Sequence, residues 1–225
     1  MGRKYNEEQR REIVRTAIVL FKKDGYSAVT TRQIADACSM NRSLLYHYYP
    51  QKEDIGTTIV CTTMDCGIQF LKPRISITYP ELGFSLYFHR LIFGAMEKTG
   101  ILENIYMEIC SEPNVVINII QHLMKSYREV AGTQFLSYNS EYVKKVNIGI
   151  YTIIGTINQL FQCRRYGLID LSNDDIIIFA LKNYFLYMDE MFDVSKMVEH
   201  SKTMITDALI SEFINDLAAK NGWNI

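Results

Sequence analysis

Apolar residues recur three and four positions apart along almost the whole chain, the spacing of helices that bury one face. Over 7–24 the stripe is Ile13, Ala17, Leu20 and Phe21, and Gly25 stands where a helix would close. Two short helices follow within 30–49, and a longer one over 51–71 with Ile55, Ile59, Thr62, Thr63, Cys66 and Phe70 on one side. After a loop around 73–80, helices are expected at 81–98, 101–110, 114–131, 140–166, 173–192 and 195–220. Gly100, Gly132, Gly167 and the Leu171-Ser172-Asn173 stretch punctuate them. Nowhere does strict alternation or a hairpin turn signal a strand. The pattern predicts an all-α chain with a three-helix helix-turn-helix head and a larger helical body.

The stretch TTRQIADACSMNRSLLYHYYPQKEDI, residues 30–55, carries the most chemical information. Thr30 is placed as an N-cap, and Gln33, three residues on, can complete a capping box. Ile34, Ala35 and Cys38 share the apolar face of the first short helix. Asn41 can cap the second, whose Leu45 and Tyr49 lie four apart and face inward. Arg42, Ser43, Tyr46 and His47 are then directed outward from a helix barely two turns long, too short to stand without its neighbours. Such a helix suits the DNA major groove, because Arg pairs bidentately with guanine while Ser and Tyr reach phosphate oxygens. The same spacing also fits a small helical hairpin with a solvated face.

The segments TTRQIA, LLYHYY and QKEDI resemble the signature of the TetR family of bacterial transcriptional regulators: T-x-R-x-I-A, then L-Y-x-[HY]-F, then a K-E-x-L that opens the fourth helix. The resemblance covers about residues 7–56. In two places the chain departs from the pattern. Ser39 occupies the turn position where the family usually has Gly, so a residue with a Cβ must bear the turn geometry. Tyr49 replaces the usual Phe and brings a hydroxyl that needs a partner. The resemblance implies DNA-facing roles for Thr31, Arg32, Arg42, Ser43, Leu44, Tyr46, His47, Tyr48 and Lys52. Arg42, Ser43, Leu44 and His47 would face bases, and Thr31, Arg32, Tyr46, Tyr48 and Lys52 phosphates.

Charge changes the picture because it is uneven. The chain carries a formal −1, yet up to Lys52 ten Lys and Arg stand against five Asp and Glu, leaving +5 there and −6 in the remainder. A basic head on an acidic body suits a phosphate-facing module, though paired helix-surface charges such as Glu7–Arg11 would use part of it. Arg3 and Lys4 belong to an expected basic arm over residues 1–6. The charge-dense first fifteen residues do not read as a signal peptide, and Asn6 breaks the myristoylation pattern after Gly2. No apolar run approaches the length of a membrane span. Five cysteines, at 38, 61, 66, 110 and 163, form no C-x-x-C, which argues for reduced thiols in the cytoplasm.

In the body, residues 147–187 give two strongly apolar helices around a Gly turn, and Gly149 and Gly155 leave low ridges where another helix could approach. This resembles the family's dimerisation pair, which forms a four-helix bundle with its counterpart; a fully buried pair within a monomer would read the same. The body is also rich in Tyr, Phe and Met. The resemblance implies a ligand cavity among the fourth to eighth helices, with Met64, Phe70, Tyr87, His89, Arg90, Tyr106, Asn118, Gln121, Asn158 and Gln159 as candidates, although a well-packed core explains the aromatics equally. No G-x-S-x-G, H-E-x-x-H or glycine-rich phosphate loop is present, and His47, His89, His122 and His200 are far apart, so neither a catalytic residue, a metal nor a cofactor is expected.

The resulting expectation is a DNA-binding domain over residues 1–50 and a ligand-binding and dimerisation domain over 51–225. The protein would be a cytoplasmic, homodimeric repressor that a small-molecule effector releases from a near-palindromic double-stranded DNA operator. A TetR-like architectural DNA binder without effector is the alternative, and an all-α lipid-binding protein or enzyme a third.

Overall fold

The computed structural model describes residues 6–75, 82–131, 140–188 and 193–225; residues 1–5 of the expected basic arm, most of the loop before 81, Gly132 and the last four positions of the helix expected at 173–192 lie outside them. Among the described residues there are eleven helices and no strand. The head consists of α1 (Glu7–Asp24), α2 (Thr31–Ala37) and α3 (Arg42–Tyr48). The body consists of α4 (Lys52–Leu71), α5 (Leu82–Thr99), α6 (Ile101–Ile109), α7 (Pro113–Ala131), α8 (Ser140–Arg165), α9 (Asn173–Met188), α10 (Val194–Met204) and α11 (Asp207–Asn221). The spacing predicts one helix over 195–220. The chain breaks instead at Ile205–Thr206, where Thr206 turns extended and its side chain accepts from Leu209 N to start α11. Without Gly or Pro there, this cap is the only local signal.

The head closes around α1, which buries Ile13, Val14, Ala17, Ile18 and Phe21 against Ile34, Ala35 and Leu45. Its first turn is capped by Asn6, whose side chain accepts from Glu8 N and Gln9 N, and it ends at Gly25 with φ +84°. Helix α4 then runs from the head into the body. At Gly56 it presses on both: a Cβ there would come within 2.6 Å of Ile109 on α6 and 3.2 Å of the Tyr26 ring. Further along, α4 packs against α5 and α7, and α11 lies across α4 and α5 with Phe213 on Phe70 (ring centroids 5.4 Å apart). Trp223, just past α11, is buried.

Among the described residues, helices α8 and α9 form the most extensive pair. The two glycines expected to leave low ridges on α8 differ. Gly149 faces inward, and a Cβ would meet the Tyr184 ring of α9 at 2.4 Å; Gly155 faces outward, with nothing within 4 Å. Gly149→Ala should therefore cost about 1–3 kcal/mol through overpacking, since the neighbour is a fully buried ring with little room to move. Chemical denaturation checks this, and an unchanged midpoint would show that the α8–α9 contact is looser than described.

Candidate nucleic-acid interface

The α2–α3 unit owes its shape to its caps. Thr30 Oγ1 accepts from Gln33 N (3.3 Å) while Gln33 Oε1 accepts from Thr30 N (2.8 Å), so the expected capping box is formed. The turn closes with Met40 N donating to Ala35 O (3.0 Å), and this places Ser39 at φ +52°, the left-handed region where a Cβ is disfavoured. Asn41 Oδ1 then accepts from Leu44 N (2.8 Å) to begin α3. Leu45 and Tyr49 are buried, as their spacing predicts, and the Arg10 guanidinium lies 5.3 Å from the centre of the Tyr49 ring.

Arg42, Ser43, Tyr46 and His47 all emerge on the exposed side of α3, with Leu44 half-buried at its edge. Tyr46 is 44% exposed, and its hydroxyl lies 3.3 Å from Thr31 Oγ1, joining the outer faces of the two short helices. Arg32 is exposed on α2 and faces Asp36 at 3.7 Å, a pair weak enough in water to yield to a phosphate. Thr31, Arg32, Arg42, Ser43, Leu44, Tyr46 and His47 are thus exposed or half-buried on α2 and α3, and the Thr31–Tyr46 contact joins the two helices.

Tyr48 and Lys52 stand apart from these residues. Tyr48 is only 8% exposed; its hydroxyl donates to Gln9 Oε1 (2.9 Å) and accepts from Asn6 N (3.3 Å), tying the end of α3 to the start of α1. The Lys52 ammonium donates to the carbonyl oxygens of Tyr26 (2.9 Å), Val29 (3.0 Å) and Ser27 (3.4 Å) and sits 4.4 Å from the centre of the Tyr26 ring. Burial lowers its pKa, and Glu53 and Glu108 counteract only part of that. The polar atoms of these two side chains, expected from the sequence to meet phosphates, are engaged inside the head in the chain alone. Gln9 and Asn6 were not singled out from the sequence; no local pattern announces a contact across about forty residues.

A second connection runs from head to body. Ser27 Oγ donates to Glu108 Oε2 (2.8 Å) on α6, and Arg165 at the end of α8 pairs with the same carboxylate. Burial pushes the Glu108 carboxyl up, but hydrogen bonds from Arg165 and Ser27 outweigh it and hold it below the usual carboxylate range.

The ten residues expected around a ligand are dispersed. Met64, His89 and Tyr106 converge on a void of about 20 Å³ between α4, α5, α6, α7 and α8, room for little more than one water. His89 is buried, which lowers its pKa to about 4 despite the hydrogen bond with Ser85 O (2.7 Å). Burial pushes the Tyr106 hydroxyl well up. Phe70 belongs to the contact with α11, and Tyr87 and Asn158 are half-buried. Asn118 and Gln121 are exposed on α7, and Gln159 is exposed on the outer face of α8 beside Gly155. Arg90 faces an open cleft of about 790 Å³ between α5, α6, the end of α8, the start of α9 and α11, where it pairs with Asp174 and donates to Ser201 Oγ (2.6 Å).

Elsewhere, Asp65 on α4 binds both His122 Nε2 (2.9 Å) and Ser126 Oγ (2.8 Å), an arrangement that gives the hydroxyl a carboxylate partner and the histidine a separate one on the same group. Among the described residues no three His, Cys, Asp or Glu gather as a metal site, and no helix is long and apolar enough to cross a membrane.

The chain is similar to known proteins in part of its length. Residues 13–55 match the family of bacterial regulatory proteins, tetR family. The biofilm operon icaADBC HTH-type negative transcriptional regulator IcaR of Staphylococcus epidermidis is 24% identical over 127 residues, which span 56% of this chain and 67% of that protein. Among solved structures, a tetR-family transcriptional regulator from Streptomyces coelicolor is 15% identical, with a TM-score of 0.48 over 94% of this chain and 99% of that one. The flavonoid-responsive regulator FrrA is 21% identical, with a TM-score of 0.39 over 80% and 97%.

The position of Lys52 yields a prediction about salt. Lys52→Gln should lower stability by about 1–3 kcal/mol, since it leaves carbonyls of the head turn without their charged donor. It should leave the slope of log K against log salt for DNA binding unchanged. A slope smaller by about one unit, with stability intact, would instead put the ammonium on a phosphate.

Proposed function

We propose that this chain is a TetR-like DNA-binding transcriptional regulator that acts as a homodimeric repressor, each protomer laying α3 into a major groove of a near-palindromic operator. The observation that carries this reading is the surface of α2 and α3: an Arg, Ser, Tyr and His face on a helix whose inner side is fixed by Leu45, Tyr48 and Tyr49. Arg42, Ser43, Leu44 and His47 would reach base edges, and Thr31, Arg32 and Tyr46 phosphates. Residues 1–50 form the DNA-binding unit in this reading, and 51–225 the unit that dimerises and responds to a small-molecule effector. Repression accords with the likeness to IcaR, a negative regulator. We read the chain as a binding protein rather than an enzyme, working in the cytoplasm where its DNA would be.

Dimerisation is supported by an exposed, largely apolar stripe. On α8, Ile148, Tyr151, Gly155 and Gln159 share one exposed face; on α9, Phe179, Leu186 and Tyr187 do, with Leu186 77% exposed. Side by side, these faces make a surface that a second copy would cover as a four-helix bundle. A two-fold axis through it sets the two α3 helices apart, and DNA requires that separation to be about one helical turn, roughly 34–36 Å, or a multiple of it.

The test uses DNA selected by the protein from a random pool. Arg42→Ala should cost roughly 1–3 kcal/mol and relax preference at one position in each half-site. A wedge in the stripe, Gly155→Leu, should loosen the dimer in sedimentation and abolish high-affinity binding while leaving each head folded. A Gly155→Leu protein that stays a tight dimer and binds normally would remove this face from the interface; a loss at Arg42 uniform over all sequences would make it a phosphate contact.

A further inference from the structure

We propose that the open cleft beside α5 is the effector site and that it takes an amphipathic organic cation, its charge seated at Glu97 and its apolar part on the floor of the cleft. The proposal rests on the reading of the body as an effector-responsive unit and deepens it.

The cleft has the volume of a small-molecule site, about 790 Å³, whereas the void around His89 holds about 20 Å³. The two are neighbours, since Phe93, Met96 and Tyr106 line both. Phe161 and Ile177 extend this apolar floor; its side chains are largely buried and offer a hydrocarbon their exposed edges.

Charge selects the sign of the ligand. Four carboxylates and three cations line the cleft. Three of the carboxylates lie in the first turns of their helices, where the positive helix end already favours them. Each also faces a cation: Glu103 faces Arg164 (3.6 Å), Asp174 faces Arg90, and Asp207 faces Lys98 (3.5 Å). Glu97 is different. It stands in the last turn of α5, where the helix end is itself negative, and its partner is a neutral amide, Asn173 Nδ2 at 2.9 Å. A positive group beside Glu97 would relieve both, while an anion would meet the carboxylate and the helix end together. The three cations of the cleft offer an anion little, because each is already held by a carboxylate.

The cleft also has a route to the head. Its wall includes α6, which carries Glu103 at the cleft and Glu108 about one and a half turns away at the Ser27 contact. The end of α8 supplies Arg164 to the first and Arg165 to the second. A cation that favours one spacing of α6 against α8 would bias the head through these two pairs, provided it binds that spacing more tightly.

Tetraphenylphosphonium and tetraphenylborate, ions of nearly equal size and shape and opposite charge, separate the possibilities. Equilibrium dialysis with the full chain should show tetraphenylphosphonium bound and tetraphenylborate much weaker. Glu97→Gln should weaken the phosphonium about three- to fivefold, as for a solvent-accessible ion pair, and Glu97→Lys should invert the preference. Equal binding of the two ions, or a phosphonium affinity indifferent to both substitutions, overturns the proposal. Titrating selected DNA in the same samples keeps the two readings apart. Glu97-dependent phosphonium binding that leaves DNA affinity unchanged supports the site and removes effector release. Release of DNA by another molecule, with no charge preference in the cleft, does the reverse.

Discussion

The Lys52 ammonium reaches back over the start of α4 and gathers the carbonyls of Tyr26, Ser27 and Val29. Those carbonyls belong to the turn between α1 and α2, which has no helical partner for them, so one side chain supplies donors that the backbone cannot. The contact also fixes the turn from which α2, and after it α3, departs. With seven residues, α3 cannot hold itself in shape, and its position is whatever α1, α2 and α4 impose. Tyr48 fixes its far end to Gln9 and Asn6, Tyr49 sits under Arg10, and Lys52 fixes the turn from which α2 departs. A shift of α4 by a fraction of an ångström therefore carries the head with it.

The same turn is where the body takes hold. Tyr26 and Ile109 both press on Gly56, a fit that only a residue without Cβ at position 56 permits, and Ser27 next to Tyr26 is bound to Glu108. Helix α6 consequently touches the head from one end and the large cleft from the other, while α8 presents the outward stripe and the arginines that pair with α6. The elements that would join two copies and the elements that would sense a small molecule are thus physically continuous with the turn held by Lys52. Coupling of this kind needs two arrangements that a ligand distinguishes; the pairs Glu103–Arg164 and Glu108–Arg165 are the contacts most exposed to such a choice.

Much of this was legible in the sequence where the signal is local. The capping box of Thr30 and Gln33, the Asn41 cap, the inward Leu45 and Tyr49 and the outward Arg42, Ser43, Tyr46 and His47 follow from spacing within one or two turns. The left-handed Ser39 follows from a turn that must close whatever residue occupies it. Direction across the fold was not legible. A motif names Tyr48 and Lys52 but cannot say whether a long polar side chain points to solvent or folds back over the head, and both fold back. The body candidates scatter for the same reason: Asn118, Gln121 and Gln159 share helices with buried residues but stand on the other faces. Glu97 and Glu108 went unremarked because a single carboxylate on a helix carries no signal until its partners are known.

The most direct measurement is a hydroxyl-radical footprint of the full chain on DNA it has selected. Two protected groove segments are expected on one side of the duplex, their centres about one helical turn or a multiple of it apart and related by a two-fold axis. A single protected segment, or two with no fixed spacing, would contradict the account, because heads held by α4 on a symmetric body cannot bind DNA independently.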